Sequence, residues 1–131
     1  MNRILSWLKA LLFGAPQPNI RISKNVPWSR ASVEAVVRIV LDGRAPFDDF
    51  GCHIRMGSPM HEGKACGGWT DGYLVVLDKN RTDCLLSETA LIHELEHIVR
   101  SILSPENWRN HDAEFFAQAE RATLAAREMN L

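Results

Sequence analysis

The stretch Ala90-Leu91-Ile92-His93-Glu94-Leu95-Glu96-His97-Ile98-Val99 indicates both a structural element and a chemistry. It contains no Pro or Gly, and the apolar residues in it and directly after it recur at helical spacing: Leu91, Leu95, Ile98 and Ile102, widened by Ile92, Val99 and Leu103. Positions i and i+4 lie on one face of a helix, so His93 and His97 can reach a single ion. Glu94 stands beside the first histidine, where a carboxylate can take a proton from metal-bound water. The alternative is an accidental match on a solvated helix, but the apolar context favours a buried helix with two zinc ligands and a general base.

A catalytic zinc site needs a third protein ligand and keeps its fourth position open for water. Ser104-Pro105 ends the motif helix, because Pro disfavours helical geometry in the residue before it. A second helix is predicted after Asn110 as N-cap, with an acidic first turn. Its predicted buried stripe consists of Phe115, Ala119, Ala122, Ala126 and Met129.

Two residues at the start of this second helix compete for the third ligand position. His111 would project from the first turn towards the motif helix, and Glu114 lies three residues on, on the same face. We favour His111, because neutral imidazole is the commonest metal ligand in proteins. Glu114 is then expected to orient one of the ligating histidines or, as the alternative, to replace His111.

These two motifs together resemble those of the SprT-like (Spartan-type) zinc metalloproteases. That family pairs HELxH with a later His-Gly-x-x-Phe segment, with which His111-Asp112-Ala113-Glu114-Phe115 aligns, and Gly72 to Asn80 resembles the strand before the family's motif helix. Over roughly residues 30–128 the resemblance implies a minimal zincin-like domain, with the three histidines as Zn²⁺ ligands and Glu94 as catalytic acid/base. Asp112 departs from the usual Gly, and we find no zinc ribbon or recruitment motif, so the family's association with DNA is not expected to carry over.

The composition predicts one soluble domain. A chain of 131 residues can bury about two-thirds of its unfolded surface, and its apolar and charged fractions are ordinary. Residues 1–33 contain five basic residues and no acidic one, so the remainder carries ten basic against sixteen acidic residues. Binding to nucleic acid, which the family resemblance implies, is therefore not supported by the charge.

The three cysteines, Cys52, Cys66 and Cys84, are odd in number and form no C-x-x-C pair. Free thiols in a reducing, cytoplasmic compartment are the natural interpretation, with a single Cys52–Cys66 disulfide as the alternative.

Residues 1–13 have the spacing of a basic amphipathic helix, and the Pro-containing joint that ends at Pro18 separates them from the domain at residues 19–131. A secretory signal is disfavoured, because Lys9 interrupts the apolar core and Pro16 follows the residue at which cleavage would fall. The segment is too short to span a membrane. It is expected to contact a membrane surface or a partner, or else to pack back on its own domain.

The rest of the chain predicts a scaffold of the α+β class, with a small three-stranded sheet packed on about three helices and HExxH on the central one. Ser29 is the predicted N-cap of a helix that ends at Gly43, with Trp28 stapled onto its first turn and a buried stripe formed by Val33, Val36, Val37, Val40 and Leu41. Residues 50–56 and 73–78 are predicted strands, with a weaker one at 65–69.

Between the strands, residues 57–72 form a Gly-rich stretch that is expected to make turns or a rim over the cleft. His53 and His61 are not expected to bind the metal. Tyr73, the single tyrosine, is a weak candidate for stabilising an oxyanion. An exposed sheet edge near Tyr73 to Asp78 would let an extended peptide add as a strand.

The sequence thus predicts a zinc-dependent metallopeptidase that acts on a protein or peptide substrate. The main alternative is a zinc-stabilised protein-interaction module without catalytic activity, in which a fourth ligand such as Glu114 closes the site. A hydrolase with another substrate on the same zinc site is a further alternative. Nothing in the sequence indicates the oligomeric state.

Overall fold

The computed structural model describes residues 19–46 and 49–131. The arm predicted for residues 1–18 lies outside this part of the chain. Within it, no helix combines the length and the apolar character that a membrane crossing requires.

The domain is a small α+β fold in which three described helices accompany a mixed sheet. The strands are β1 Asn19–Ile22, β2 Gly51–Gly57, β3 Met60–His61, β4 Lys64–Ala65, β5 Gly68–Thr70 and β6 Leu74–Asp78. Four of them form one sheet in the order β1-β2-β6-β5, with β1, β2 and β6 parallel and β5 antiparallel to β6. The short β3 and β4 form a separate hairpin.

The main sheet has one strand more than the sequence predicts, and the additional strand is β1. It has only four residues, between Pro18 and a turn, so its alternation of polar and apolar residues is too short to predict a strand. Pairing with β2 stabilises it, and Ile20 points into the core with 5% of its surface exposed. The strand therefore depends on a contact across about thirty residues of chain, from Ile20 to Cys52.

Helix α1, Arg30–Leu41, agrees closely with its prediction. The Ser29 Oγ accepts a hydrogen bond from the Ser32 N–H at 3.1 Å, as an N-cap does. Asp42 and Gly43 both adopt left-handed backbone and end the helix. All five residues of the predicted stripe are buried. Trp28 packs against the core and its Nε1–H donates to the Cys84 carbonyl at 2.9 Å.

Helix α2, Leu91–Leu103, contains His93 and His97. Helix α3, Ala113–Glu128, begins two residues after His111. Helix α2 contains the whole His93–His97 run and ends before Ser104-Pro105, as predicted. It packs against α1 and α3 and also contacts β5 and β6. Of the stripe predicted for α3, Phe115, Ala122 and Ala126 are buried, Ala119 is partly buried, and Met129 at the helix end is 60% exposed, so that part of the prediction is wrong.

The exposed edge predicted at Tyr73 to Asp78 is wrong, because β6 lies between β2 and β5 and both of its sides are paired. Among the described strands, β5 is the one at the edge of the main sheet that contacts the motif helix. The three cysteines are free thiols, so the alternative of a Cys52–Cys66 disulfide is not realised. Cys52 is buried in β2, and burial raises the pKa of its thiol to about 12.

Candidate metal centre

Three imidazoles converge at one point on the surface of α2. His93 and His97 lie one turn apart on the helix, and His111 reaches them from the loop before α3. The Nε2 atom of His111 lies 3.1 Å from Nε2 of His93 and 2.9 Å from Nε2 of His97. The candidate ligand atoms all lie within 4.8 Å of one another, which is close enough to hold one metal ion. This group includes His111 and not Glu114.

A backbone contact orients the second histidine. The Nδ1–H of His97 donates to the carbonyl of Trp108 at 2.9 Å, which leaves the Nε2 lone pair facing the other imidazoles. A hydrogen bond of this kind fixes the tautomer and the ring plane of a ligating histidine. The loop between α2 and α3 therefore orients His97 through the Trp108 carbonyl and also contains His111.

The surroundings of His93 and His97 favour the neutral imidazole, which is the form that binds a metal. Burial, together with the neighbouring His97 and His111, lowers the pKa of His93 to about 4. Burial also lowers the pKa of His97. The ring of Phe115, which is fully buried, packs 4.4–5.0 Å from all three imidazole rings. Phe115, predicted only as a core residue, thus forms the apolar floor of the site.

The third histidine is positioned by the residue that follows it. Asp112, and not the predicted Asn110, is the N-cap of α3, since its Oδ1 accepts the Phe115 N–H at 2.9 Å. Its Oδ2 accepts from the Arg100 guanidinium at 2.6 Å. Arg100 belongs to α2, one turn after the His93–His97 pair. Asp112 therefore ties the start of α3 to the motif helix, and His111, which precedes the helix, is held against the other two ligands.

This link predicts an effect of Asp112→Asn on metal affinity. Asn is as good an N-cap as Asp, so the helix start is kept while the ion pair with Arg100 is lost. We expect binding of a divalent metal to weaken by about tenfold, the lower end of the range for partners outside the ligand set. Titration with Co²⁺, whose absorption reports the ligand geometry, measures both the affinity and any change of the site.

Asp42→Asn is the matched control for this experiment. Asp42 also pairs with an arginine, Arg121 at 3.8 Å, and occupies a left-handed position that Asn tolerates. Its metal affinity is expected to equal that of the wild type. Equal affinities in both variants would show that the Arg100–Asp112 pair has no role in placing His111.

The carboxyl group of Glu94 lies in a cleft of about 370 Å³ that opens beside the three histidines. Glu94 is 6% exposed, and burial raises the pKa of its carboxyl to about 7, an effect that the positive charge of Arg109 partly offsets. Strand β5 approaches it closely. A Cβ atom added at Gly68 would lie 2.7 Å from the Ala90 Cβ and 3.2 Å from the Glu94 Cγ. Only glycine allows the strand to lie this near to the helix.

The other residues considered from the sequence lie outside the histidine group. Glu114 is exposed, and its Oε1 accepts from Gln118 at 3.1 Å. Tyr73 packs near Gly51 and is not among the residues that line the cleft. His53 contacts the Ser23 hydroxyl at 2.9 Å in the sheet. His61 lines the cleft and is not among the three histidines of the candidate metal site.

The arrangement combines a candidate metal site with a titratable carboxyl group in one open cleft. Its chemistry suits the activation of a water molecule next to a polarised substrate. Comparisons of the chain with models of protein families, with curated proteins and with solved structures give no match, so the resemblance to SprT-like metalloproteases stays a prediction from the motifs.

Proposed function

We propose that this protein is a zinc-dependent peptidase in which His93, His97 and His111 bind the metal and Glu94 is the general acid/base. One observation carries the proposal: the three convergent imidazoles and a buried carboxyl with a pKa of about 7 face the same cleft. Perturbed titratable groups that converge in a cleft are typical of active sites.

Zinc is the metal that suits these ligands. Three neutral imidazoles on a rigid scaffold are a common ligand set for catalytic zinc, and they leave a fourth position for water or substrate. When bound, the ion supplies a Lewis acid that polarises a carbonyl group and makes a coordinated water more acidic. Phe115 and the Trp108 carbonyl support the ligands from outside.

Glu94 is placed to move protons in the reaction. A carboxyl group whose pKa lies near neutral pH both accepts and returns a proton readily. It would take a proton from the attacking water and pass it to the leaving amine. The nearby guanidinium of Arg109 favours the ionised form that is needed for the first step.

Among the described strands β5 lies at the edge of the sheet, where an extended peptide can add, although the Gly68 carbonyl at this edge accepts from the Cys66 thiol at 3.2 Å. The Asp78 N–H donates to the Gly67 carbonyl, and the register pairs Gly68 with Leu77 and Thr70 with Val75. Because hydrogen-bonded pairs alternate with non-bonded ones, the backbone groups of Gly68 and Thr70 point away from β6. Both residues line the cleft. A peptide that adds to this edge as a strand would pass close to Glu94.

The alternative of an interaction module with a structural zinc ion is less well supported. Structural sites are usually closed by four protein ligands, whereas among the described residues this group has three. Glu114, the expected fourth ligand of such a module, lies outside the group, and its Oε1 accepts a hydrogen bond from Gln118.

Metal analysis and cleavage assays on one set of variants test the proposal. Purified wild type is expected to contain one zinc ion per chain and to cleave an unfolded protein such as casein, with loss of activity in a chelator and recovery with zinc. His111→Ala should weaken zinc binding by more than about 100-fold, since losing a ligand costs more than losing an outer partner. His53→Ala, a histidine outside the group, is the control and should keep its zinc. Zinc-loaded wild type that cleaves no protein or peptide would contradict the proposal.

A further inference from the structure

We propose that Arg109 is a specificity residue, which binds a carboxylate of the substrate next to the scissile bond. The inference deepens the proposed function and rests on it. It concerns a residue that the sequence motifs do not single out.

The guanidinium of Arg109 is held at the cleft by its neighbour. Its Cζ lies 4.1 Å from the centre of the Trp108 ring, a cation–π contact. The Trp108 carbonyl accepts the Nδ1–H of His97 at 2.9 Å, so the backbone at this point is fixed to a candidate metal ligand. The Trp108 ring in turn reaches Gly72, where an added Cβ would lie 3.8 Å from the Cη2 atom. The indole thus supports the guanidinium beside the cleft that both residues line.

The charge of Arg109 is available to a ligand. Four arginines pair with a carboxylate within 4.0 Å: Arg30, Arg44, Arg100 and Arg121. Among the described residues, no carboxylate forms such a pair with Arg109. The residue lines the cleft and is exposed.

A carboxylate is the substrate group that this arrangement recognises best. The planar guanidinium binds a carboxylate through two parallel hydrogen bonds, and the face that rests on an aromatic ring leaves its N–H edge open. Two sources can supply the carboxylate: an Asp or Glu side chain near the scissile bond, or the C-terminus of a short peptide. A guanidinium binds either carboxylate in the same way, so the experiment separates them.

The test compares matched peptides that differ only in charge. A library of short peptides with amidated C-termini, carrying Glu or Gln at each position in turn, is cleaved with the zinc-loaded protein and the cut sites are mapped by mass spectrometry. We expect kcat/KM to be at least about tenfold higher for Glu than for Gln at one position beside the cut. Neutral peptides with a free C-terminus form the second arm, and preference for these would assign the carboxylate to the chain end.

Three variants identify the residue responsible. Arg109→Ala should abolish the preference, mostly through a higher KM for the acidic peptide, and Arg109→Lys should keep part of it. Arg127→Ala removes an exposed arginine near the other end of α3, roughly 20 Å along the helix, and should leave the preference unchanged. The ratio between matched peptides is the decisive readout, because a changed charge beside Glu94 alters the rate for both peptides alike.

The outcomes separate this inference from the function on which it rests. Cleavage without any preference for a carboxylate overturns the inference and leaves the peptidase in place. An equal loss for acidic and neutral peptides in Arg109→Ala also overturns it, and would place the guanidinium on the reacting carbonyl oxygen. If no peptide is cleaved by zinc-loaded wild type, the proposed function fails and the inference fails with it.

Discussion

Glu94→Gln is expected to retain zinc and to lose peptide cleavage by a factor of about 10²–10⁴, the usual contribution of a general acid/base. The amide keeps the shape of the side chain and cannot accept a proton. Because the three imidazoles are unchanged, the metal should bind as it does in the wild type. The measurement is zinc content together with kcat on a peptide that the wild type cleaves.

The same variant reports whether Glu94 is buried as described. Burial raises the pKa of the wild-type Glu94 carboxyl from 4.5 to about 7 in the folded protein. Between these values the unfolded chain releases a proton that the folded protein keeps, so the metal-free wild type should lose stability, relative to Glu94→Gln, as the pH rises. Urea unfolding of the two metal-free proteins at several pH values measures this difference.

Glu120→Gln makes the same chemical change at an exposed position of α3 and serves as the control for both measurements. It should match the wild type in zinc content and rate. A Glu94→Gln protein with full cleavage activity would remove Glu94 from the mechanism, whatever the metal content.

Much of the scaffold follows from local signals in the sequence. The stripe from Val33 to Leu41 and its Ser29 cap are confirmed, because burial of one face and a capping side chain are both encoded within a few residues. The same holds for α2, whose two histidines share a face by helical geometry alone. Ligand chemistry favours His111 over Glu114, and the structure places His111 close to the other two histidines.

Contacts between distant segments account for what the sequence did not indicate. Strand β1 exists through its pairing with β2, and β6 loses its predicted free edge because β5 folds back on it. A propensity pattern does not specify the partner of a strand. The Arg100–Asp112 link joins two motifs that were each recognised separately. In the sequence, this link is indicated by Asp112, which stands where the family pattern has Gly. The role of Asp112 depends on its contact with Arg100, twelve residues earlier.

The proposed role of Arg109 is likewise not indicated by any pattern in the sequence. An arginine in a polar loop is usually solvated, and no motif distinguishes this one. It becomes a candidate only when Trp108 is seen to support it beside the histidines. The histidine group therefore follows from motifs in the sequence, whereas the placement of Arg109 depends on a contact that no motif encodes.

The largest expected effect on stability comes from Glu96, which lies within the same five-residue motif but contacts Arg44 and is not part of the histidine group. Its carboxylate is fully buried and accepts two hydrogen bonds from Arg44, at 2.9 Å and 2.6 Å. The same guanidinium also donates to the Val40 carbonyl at the end of α1. The pair thus links the motif helix to the end of α1.

Glu96→Ala is expected to lower the free energy of unfolding by about 3–5 kcal/mol, because it leaves the Arg44 guanidinium partly buried without its partner. That is a large share of the roughly 5–15 kcal/mol that a domain of this kind possesses. Glu34→Ala is the matched control: it removes a glutamate that pairs with Arg30 at 3.4 Å on the surface of α1, and should change the stability by at most about 0.5 kcal/mol. Urea unfolding of the metal-free proteins compares the two.

A double variant separates the need for this ion pair from the need for a filled space. Replacing both partners, as Arg44→Met with Glu96→Leu, removes both charges and keeps a similar volume, so most of the lost stability should return. If it does, the pair is required because each charge needs the other, and an apolar contact can hold α2 in place equally well. If the double variant is as unstable as Glu96→Ala, the hydrogen bonds to the end of α1 themselves set the position of the helix. A Glu96→Ala protein as stable as Glu34→Ala would contradict both explanations.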